Sequence, residues 1–390
     1  MSRAAVGLSR ASDVATAVEQ AVATARRAIG EEPPDFCIAF ASADHREHAD
    51  LLLGCIADAA GTPYVVGCSG SGVLISGDEA ETGPALGILV VRDDRLRTTP
   101  FVFGGDAEGG HATGVEIGRR LTGSRKTDDL VLLWPDPLRA RPDRLLGGLA
   151  ESLPGVPVAG GAAAAADLGP TMQFCGEDAV AGGVAGMRLS GDFRYRVAVS
   201  QGCRPLGAPV RVSAAHDNLL LELDTRPAYE VLRERAPEGL LDRPEAFNHL
   251  FVGRIPEAGS GARPGEYLIR NIVTADPDTG VLAIGDSVTE GDSLVLAVRE
   301  GEAARRELAR VATEAAVAGG PWTFGLYFNC LARGEALYGE QGVDARILAE
   351  ALPGVPILGF FGNAELAPLH GRNHLFTYTG VLTLIGGGRP

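Results

Sequence analysis

Asn329-Cys330-Leu331-Ala332-Arg333-Gly334 places a thiol at the end of an apolar strand and a guanidinium three residues later, where the backbone leaves its sheet. A nearby cation favours the thiolate, and strand ends in α/β sheets face ligand crevices, so Cys330 reads as a reactive or ligand-facing thiol. It reads equally as a buried strand-terminal thiol, with Arg333 paired to an acid. Further on, Gly359-Phe360-Phe361-Gly362-Asn363-Ala364-Glu365 combines two aromatics, glycines, an amide and a carboxylate, the mixture that suits a small-molecule pocket. There Glu365 can hold an amine, and Asn363 can meet a donor or an acceptor. The alternative makes both phenylalanines core residues and Asn363 a turn cap. A third segment, Gly67-Cys68-Ser69-Gly70-Ser71-Gly72, either presents backbone N–H groups to an anion or merely permits a tight backbone path.

Two further motifs carry less. Gly285-Asp286-Ser287-Val288-Thr289-Glu290-Gly291 resembles the nucleophile block of the GDSL-type esterases, but it lies late in the chain. No histidine follows an aspartate by three residues, and no Gly-x-Asn-Asp segment completes a triad. The segment reads as a hairpin turning at Gly285-Asp286 and again at Gly291-Asp292. His45-Arg46-Glu47-His48 has histidines on one helix face without a third ligand nearby, and reads as a solvated helix start, so no metal site is expected. No catalytic residue is assigned; the enzymatic alternative uses Cys330 as nucleophile with His370 or His374 as base.

The chain has 390 residues, 45% of them hydrophobic, enough for two domains. A formal net charge of -15 argues against nucleic acid, whose phosphates demand clustered cations. No apolar run approaches the ~20 residues a helix needs to cross a bilayer, and residues 1–30 lack the apolar core of a secretory leader. A cytoplasmic protein with neither a membrane nor a nucleic-acid partner is expected. The six cysteines form no Cys-x-x-Cys pair and read as reduced, buried small hydrophobes.

The elements that must position these residues repeat. A buried-type strand leads to an amphipathic helix, then a Pro-led strand ending in Gly, a Gly/Ala/Ser-rich loop, and another strand. The first copy runs through Phe36–Ser42, His48–Ala60, Pro63–Gly67, a loop Cys68–Gly77 and Ala85–Val91. The second runs through Leu130–Trp134, Pro142–Leu153, Pro157–Gly160, an alanine-rich loop and Val180–Leu189. The third runs through Phe324–Asn329, Asp344–Leu352, Pro356–Phe360, a loop Phe361–Arg372 and His374–Ile385. Copies two and three share Leu-Ala-Glu-x-Leu-Pro-Gly-Val-Pro, at 149–157 and 348–356, which indicates duplication. Returning helices imply parallel pairing with a right-handed crossover, so mixed sheets follow. Between copies two and three, short strands with turn dipeptides indicate a change of character. The expected fold is α/β: two domains with mixed β-sheets covered by helices, built from repeated strand-helix-strand-strand units. The expected division is an N-terminal helix in 1–30 and domains at 31–192 and 193–390.

At this point the residues match a known pattern. Pro63-Tyr64-Val65-Val66-Gly67-Cys68-Ser69-Gly70-Ser71-Gly72-Val73 resembles the FIST (F-box and intracellular signal transduction) N-terminal domain. Phe328 to Gly334, Pro356 to Pro368 and Asn373-His374 resemble the FIST C-terminal domain, in the right order along the chain. The resemblance implies a sensory module for small ligands such as amino acids; the ligand contacts expected in this chain are Asn329, Cys330, Arg333, Phe361, Gly362, Asn363, Glu365 and His374, and Cys68, Ser69 and Gly70. The expectation is binding without enzymatic turnover and output through a signalling protein partner, since no kinase, cyclase or F-box segment is seen in the sequence. Relatives of the nitric-oxide-sensing type bring in haem as the alternative cofactor, with His249 or His374 as its ligand; otherwise no cofactor is expected. Two departures stand out: the family's Ser/Ala-Cys-x-Gly-Arg-Gly is Asn-Cys-Leu-Ala-Arg-Gly here, and Ala162 to Ala166 replace polar loop residues in the second copy, marking that copy as structural.

Overall fold

Apolar runs bounded by Gly and Pro form three central strands, Phe36–Ser42, Leu130–Pro135 and Trp322–Cys330, the first two buried along their whole length. Burial on both faces explains why these runs are continuously apolar rather than alternating. After each, a helix carries the chain back: Ala49–Ala60, Pro142–Ser152 and Val343–Ala351. Pro142 supplies the fixed φ of a first helical turn, and Gly61 ends the first of these helices in the left-handed conformation. The chain then pairs in parallel with its central strand through Val65–Gly70, Val158–Ala162 and Ile357–Gly362. On the other side the return strands Leu86–Arg92, Val184–Gly191 and Thr379–Gly387 pair antiparallel. The computed structural model describes residues 3–30, 32–105, 109–122, 129–165, 169–256 and 265–388. It is an α/β protein of mixed sheets covered by helices.

Each copy is larger than its sequence pattern indicates, because a strand and a helix precede the central strand. Arg3–Ser9 and Val14–Ile29 lead the first copy, so the segment expected to be purely helical begins with a strand. Leu96–Phe103 and His111–Leu121 lead the second, and Phe193–Gln201 and Gly301–Val317 lead the third.

The segments read as loops are hairpins, and the copies exchange them. Gly72–Ile75 and Asp78–Ala80, from the first copy, extend the third sheet beside Ile357–Gly362. Met172–Cys175 and Asp178–Ala181, from the second, extend the first sheet beside Val65–Gly70. Ala364–Leu369 and Arg372–Phe376, from the third, extend the second sheet beside Val158–Ala162. Their Gly, Ala and Ser content has little strand preference of its own, and pairing with another copy overrides it. Part of the alanine-rich loop, 166–168, lies outside the described residues.

Where the three crossings meet, the backbone closes a ring. Ser71 N donates to Phe361 O at 2.9 Å, Asn363 N to Ala162 O at 2.9 Å, and Ala164 N to Ser69 O at 3.1 Å. At one register position the three central strands present Phe40, Trp134 and Phe328, and Phe40 packs edge-on to both others at centroid distances of 5.4 and 6.4 Å. The neighbouring position on each parallel strand is glycine. A side chain at Gly67, Gly160 or Gly359 would collide with the carbonyl oxygen of Ala39, Leu133 or Tyr327 respectively.

By compactness the chain forms two units. One holds residues 1–199, 308–375 and 379–390, which contain the first two copies and most of the third; the other holds 200–307 with 376–378. The grouping differs from two consecutive segments because the third copy's strands pair with elements of the first and second. The main part of the smaller unit runs from the end of Phe193–Gln201 to the first turns of Gly301–Val317. In it, Ser293–Arg299, Val210–His216, Leu219–Leu223, Val281–Ile284, Leu268–Asp276 and Leu250–Ile255 pair antiparallel in that order, and the last pairs with the first. The ring encloses Val212, Leu220, Leu282 and Leu296, together with Val231 and Leu232 of the helix Ala228–Arg235. The esterase-like segment lies between strands there, its Asp286 held by Arg270 at 2.9 Å. Among the described residues no helix is long and apolar enough to cross a membrane.

Candidate ligand site at the end of the third central strand

Strand alternation divides the end of Trp322–Cys330 between two faces. Phe328 and Cys330 share the inner face, where Phe328 meets Phe40 and Phe360. Tyr327 and Asn329 share the face covered by helices, where Tyr327 packs with Phe361, Leu348 and Leu382. Phe361 is thus core on one side and Phe360 core on the other.

On the inner face, the hairpin strand Ala364–Leu369 brings Glu365 to the end of the central strand. Glu365 is fully buried; its Oε2 accepts hydrogen bonds from Thr379 Oγ1 at 2.6 Å and Thr379 N at 3.3 Å. Burial pushes its carboxyl up to about 8, against the opposing pull of Thr379, the Arg333 charge and a hydrogen bond from Cys330. At neutral pH this group is a carboxylic acid. Its Oε1 finds no partner among the described residues.

On the helix-covered face, Arg333 lies at the centre of a polar cluster. Its Nε and Nη2 donate to Asp344 at 2.9 and 3.2 Å, with both side chains 1% exposed, and Nη2 also donates to Tyr338 OH at 2.6 Å. Tyr327 OH donates to the same carboxylate at 3.1 Å. Burial alone would lower the guanidinium's proton affinity, but Asp344 more than compensates and keeps it charged. Register carries the row Tyr327, Gly359, Leu74 across to Glu79, and the row Asn329, Phe361 to Gly72, next to which Glu81 follows the hairpin. Glu79 accepts from Gly342 N, and Glu81 from Glu335 N at 2.9 Å, so the first copy's hairpin anchors the segment 334–342 of the third. Burial, reinforced by Asp344 and Glu81, pushes Glu79 up to about 7.

Several polar atoms here have unmet capacity. Asn329 is fully buried, and neither its Oδ1 nor its Nδ2 has a hydrogen-bond partner among the described residues; the same holds for Arg333 Nη1 and Glu79 Oε2. Buried polar atoms are nearly always paired, and an unpaired one costs about 1–3 kcal/mol. The concentration of such atoms beside one arginine is chemically suited to a ligand with both a negative and a positive end.

Of the residues singled out in the sequence, Cys330 and Glu365 meet on the inner face, where the Arg333 charge also acts on Glu365, and Asn329 and Arg333 lie on the helix-covered face. Gly362 passes close under Ala162 O, where no side chain would fit. Asn363 is exposed and contributes its backbone N–H to the ring. His374 is half-buried on the outer strand of the exchanged hairpin. Cys68, Ser69 and Gly70 belong to the first sheet, where Ser69 Oγ donates to Ala164 O and accepts from Met172 N, and burial raises the Cys68 thiol. Asp344, Tyr338, Glu79, Glu81 and Thr379 were not singled out. Asp344 was legible as the buried acid of an otherwise apolar helix face, whereas the two glutamates lie about 250 residues away in the chain and reach the segment 334–342 only through the hairpin exchange. His249 and His374 are both half-exposed.

Comparison with known proteins adds the family. The FIST N domain matches residues 35–226 and the FIST C domain residues 228–368. An uncharacterized protein of Mycobacterium tuberculosis is 32% identical over 387 residues, covering 98% of this chain and 99% of its own length. An uncharacterized protein of Mycobacterium bovis is 31% identical over 388 residues, covering 98% of each.

Proposed function

The chain belongs to the FIST family, whose domains are sensory modules of signal transduction, and from that premise we propose that the end of its third central strand binds a small zwitterionic metabolite such as an amino acid. The observation that supports this most is Asn329, a fully buried amide whose two polar atoms, like Nη1 of the buried Arg333, have no partner among the described residues. The ligand's carboxylate takes Arg333 Nη1 and Asn329 Nδ2, and its ammonium takes Asn329 Oδ1 and Glu79. Cys330, Glu365 and Phe361 form the wall between this site and the inner face.

The segment 334–342 covers the site and gives access by moving. Its short helix Glu335–Tyr338 buries no side chain and is bracketed by Gly334, Gly339 and Gly342, all at positive φ. Its anchors are the polar contacts to Glu79, Glu81, Arg333 and Asp344, which a charged ligand competes for. Occupancy then changes the surface presented to a protein partner, and no turnover is involved. The modules 31–192 and 193–390, and a cytoplasmic location, belong to the same proposal.

Thermal unfolding with a panel of amino acids, carboxylates and amines tests the reading. A ligand of the native state raises the midpoint with concentration. A panel in which no zwitterion shifts it would remove the proposal.

A further inference from the structure

A cavity lies at the amino ends of strands in the first and third copies and shares no residue with the site above. It has a volume of about 840 Å³, within the range of small-molecule pockets. Four charged residues line it, Arg3, Asp94, Arg95 and Arg194, three cations to one anion in a chain whose net charge is -15. The carboxylates facing Arg95 are Asp93, Asp94 and Asp192; Asp93 is committed to it, accepting from Nε at 3.1 Å and Nη2 at 3.2 Å. Arg3 and Arg194 are anchored among the described residues on carbonyl oxygens, those of Ile29 and Pro321, each at 3.3 Å. Arg194 Nε is buried and has no partner among them. These two guanidiniums therefore keep donors and charge for an anion.

The cavity also offers a flat apolar surface. Trp322 is half-buried in its wall, fixed by its Nε1 donating to Ala315 O at 3.1 Å, with the Arg194 guanidinium 5.8 Å from the ring centroid. Gly386 and Gly387 clear the space: a side chain at the first would press on the Trp322 ring, and one at the second would overlap the Arg95 guanidinium. An anion site beside a half-exposed indole suits a ligand that joins a phosphate to a planar ring. We propose that this cavity binds a nucleoside phosphate, with the phosphate on Arg3, Arg95 and Arg194 and the base against Trp322.

Tryptophan fluorescence reads this directly, because the chain has two tryptophans and Trp134 is fully buried. The full chain is titrated with ADP, inorganic pyrophosphate and adenosine. ADP is expected to change the emission saturably, pyrophosphate to bind more weakly, and adenosine most weakly. Arg194→Ala, and separately the exposed Arg3→Ala, weaken ADP binding by about tenfold or more, and Trp322→Phe abolishes the signal and weakens binding in calorimetry. Absence of any response to ADP, or unchanged affinity in both arginine variants, overturns the assignment. Pyrophosphate binding as tightly as ADP overturns the base position. Neither result bears on the strand-end site, which is read with amino acids.

Discussion

Glu365 occupies in the third copy the place that Gln173 occupies in the second. Gln173 lies opposite Cys68 and accepts from Gly183 N at 2.8 Å; Glu365 lies opposite Gly161 and accepts from Thr379 N at 3.3 Å. In each case the acceptor meets the first turn of the return strand. The carboxyl differs from the carboxamide in that burial, not its hydrogen bonds, raises its proton affinity.

A pH dependence follows. The Glu365 carboxyl is raised to about 8 in the folded chain, whereas in the unfolded chain it ionises at about 4.3. Across that window the unfolded state has released the proton and the folded state has not, so stability falls as pH rises and levels off above 8. Glu79, raised to about 7, adds a loss of the same sign below 7. Glu365→Gln should leave stability at pH 4 nearly unchanged and raise it at pH 8, by up to about 5 kcal/mol, measured by urea unfolding at the two pH values.

The Arg333–Asp344 pair makes a second prediction. Removing one partner of a buried pair leaves an uncompensated charge and costs about 3–5 kcal/mol. Asp344→Ala should therefore lower the urea midpoint sharply, and the double variant Arg333→Met with Asp344→Leu should recover most of the loss while abolishing ligand binding. Recovery of binding together with stability would show that Arg333 only holds the fold.

The three glycines under the central-strand carbonyls make a third. Gly359→Ala and Gly160→Ala should each prevent or severely weaken folding, because the new methyl meets backbone oxygen. Gly54→Ala, in the helix Ala49–Ala60 with open space around it, should stabilise by about 0.5–1 kcal/mol. Expression and thermal midpoint distinguish the two classes.

The repeat was legible because its central strands, crossover helices and Pro-led parallel strands are specified locally; Phe36–Ser42 and the helix beginning at Pro142 start where the residues indicate. The hairpins were not legible. Gly72–Ile75 is a strand only because Ile357–Gly362 supplies its hydrogen bonds, and no local pattern encodes a partner so distant in the chain. The same exchange hid Glu79 and Glu81. The sequence marked Cys330, Arg333 and Glu365 by their chemistry, but the orphaned state of Asn329 depends on burial, which spacing does not reveal.

Thiol labelling tests the reading of Cys330 as buried. Cys330 is 4% exposed, and burial raises the Cys37 thiol to about 12. With a maleimide at neutral pH, half-buried Cys55 should react first and Cys330 only on unfolding. Labelling of Cys330 as fast as Cys55 would show that the strand end opens readily.

The most direct test is a calorimetric titration of the zwitterion that gives the largest thermal shift into the wild type and Asn329→Leu. The substitution removes both unpaired polar atoms at similar volume, so the ligand-free variant should be more stable than the wild type and bind at least about tenfold more weakly. Unchanged affinity in Asn329→Leu, whatever its stability, would contradict the placement of the ligand at the end of the third central strand.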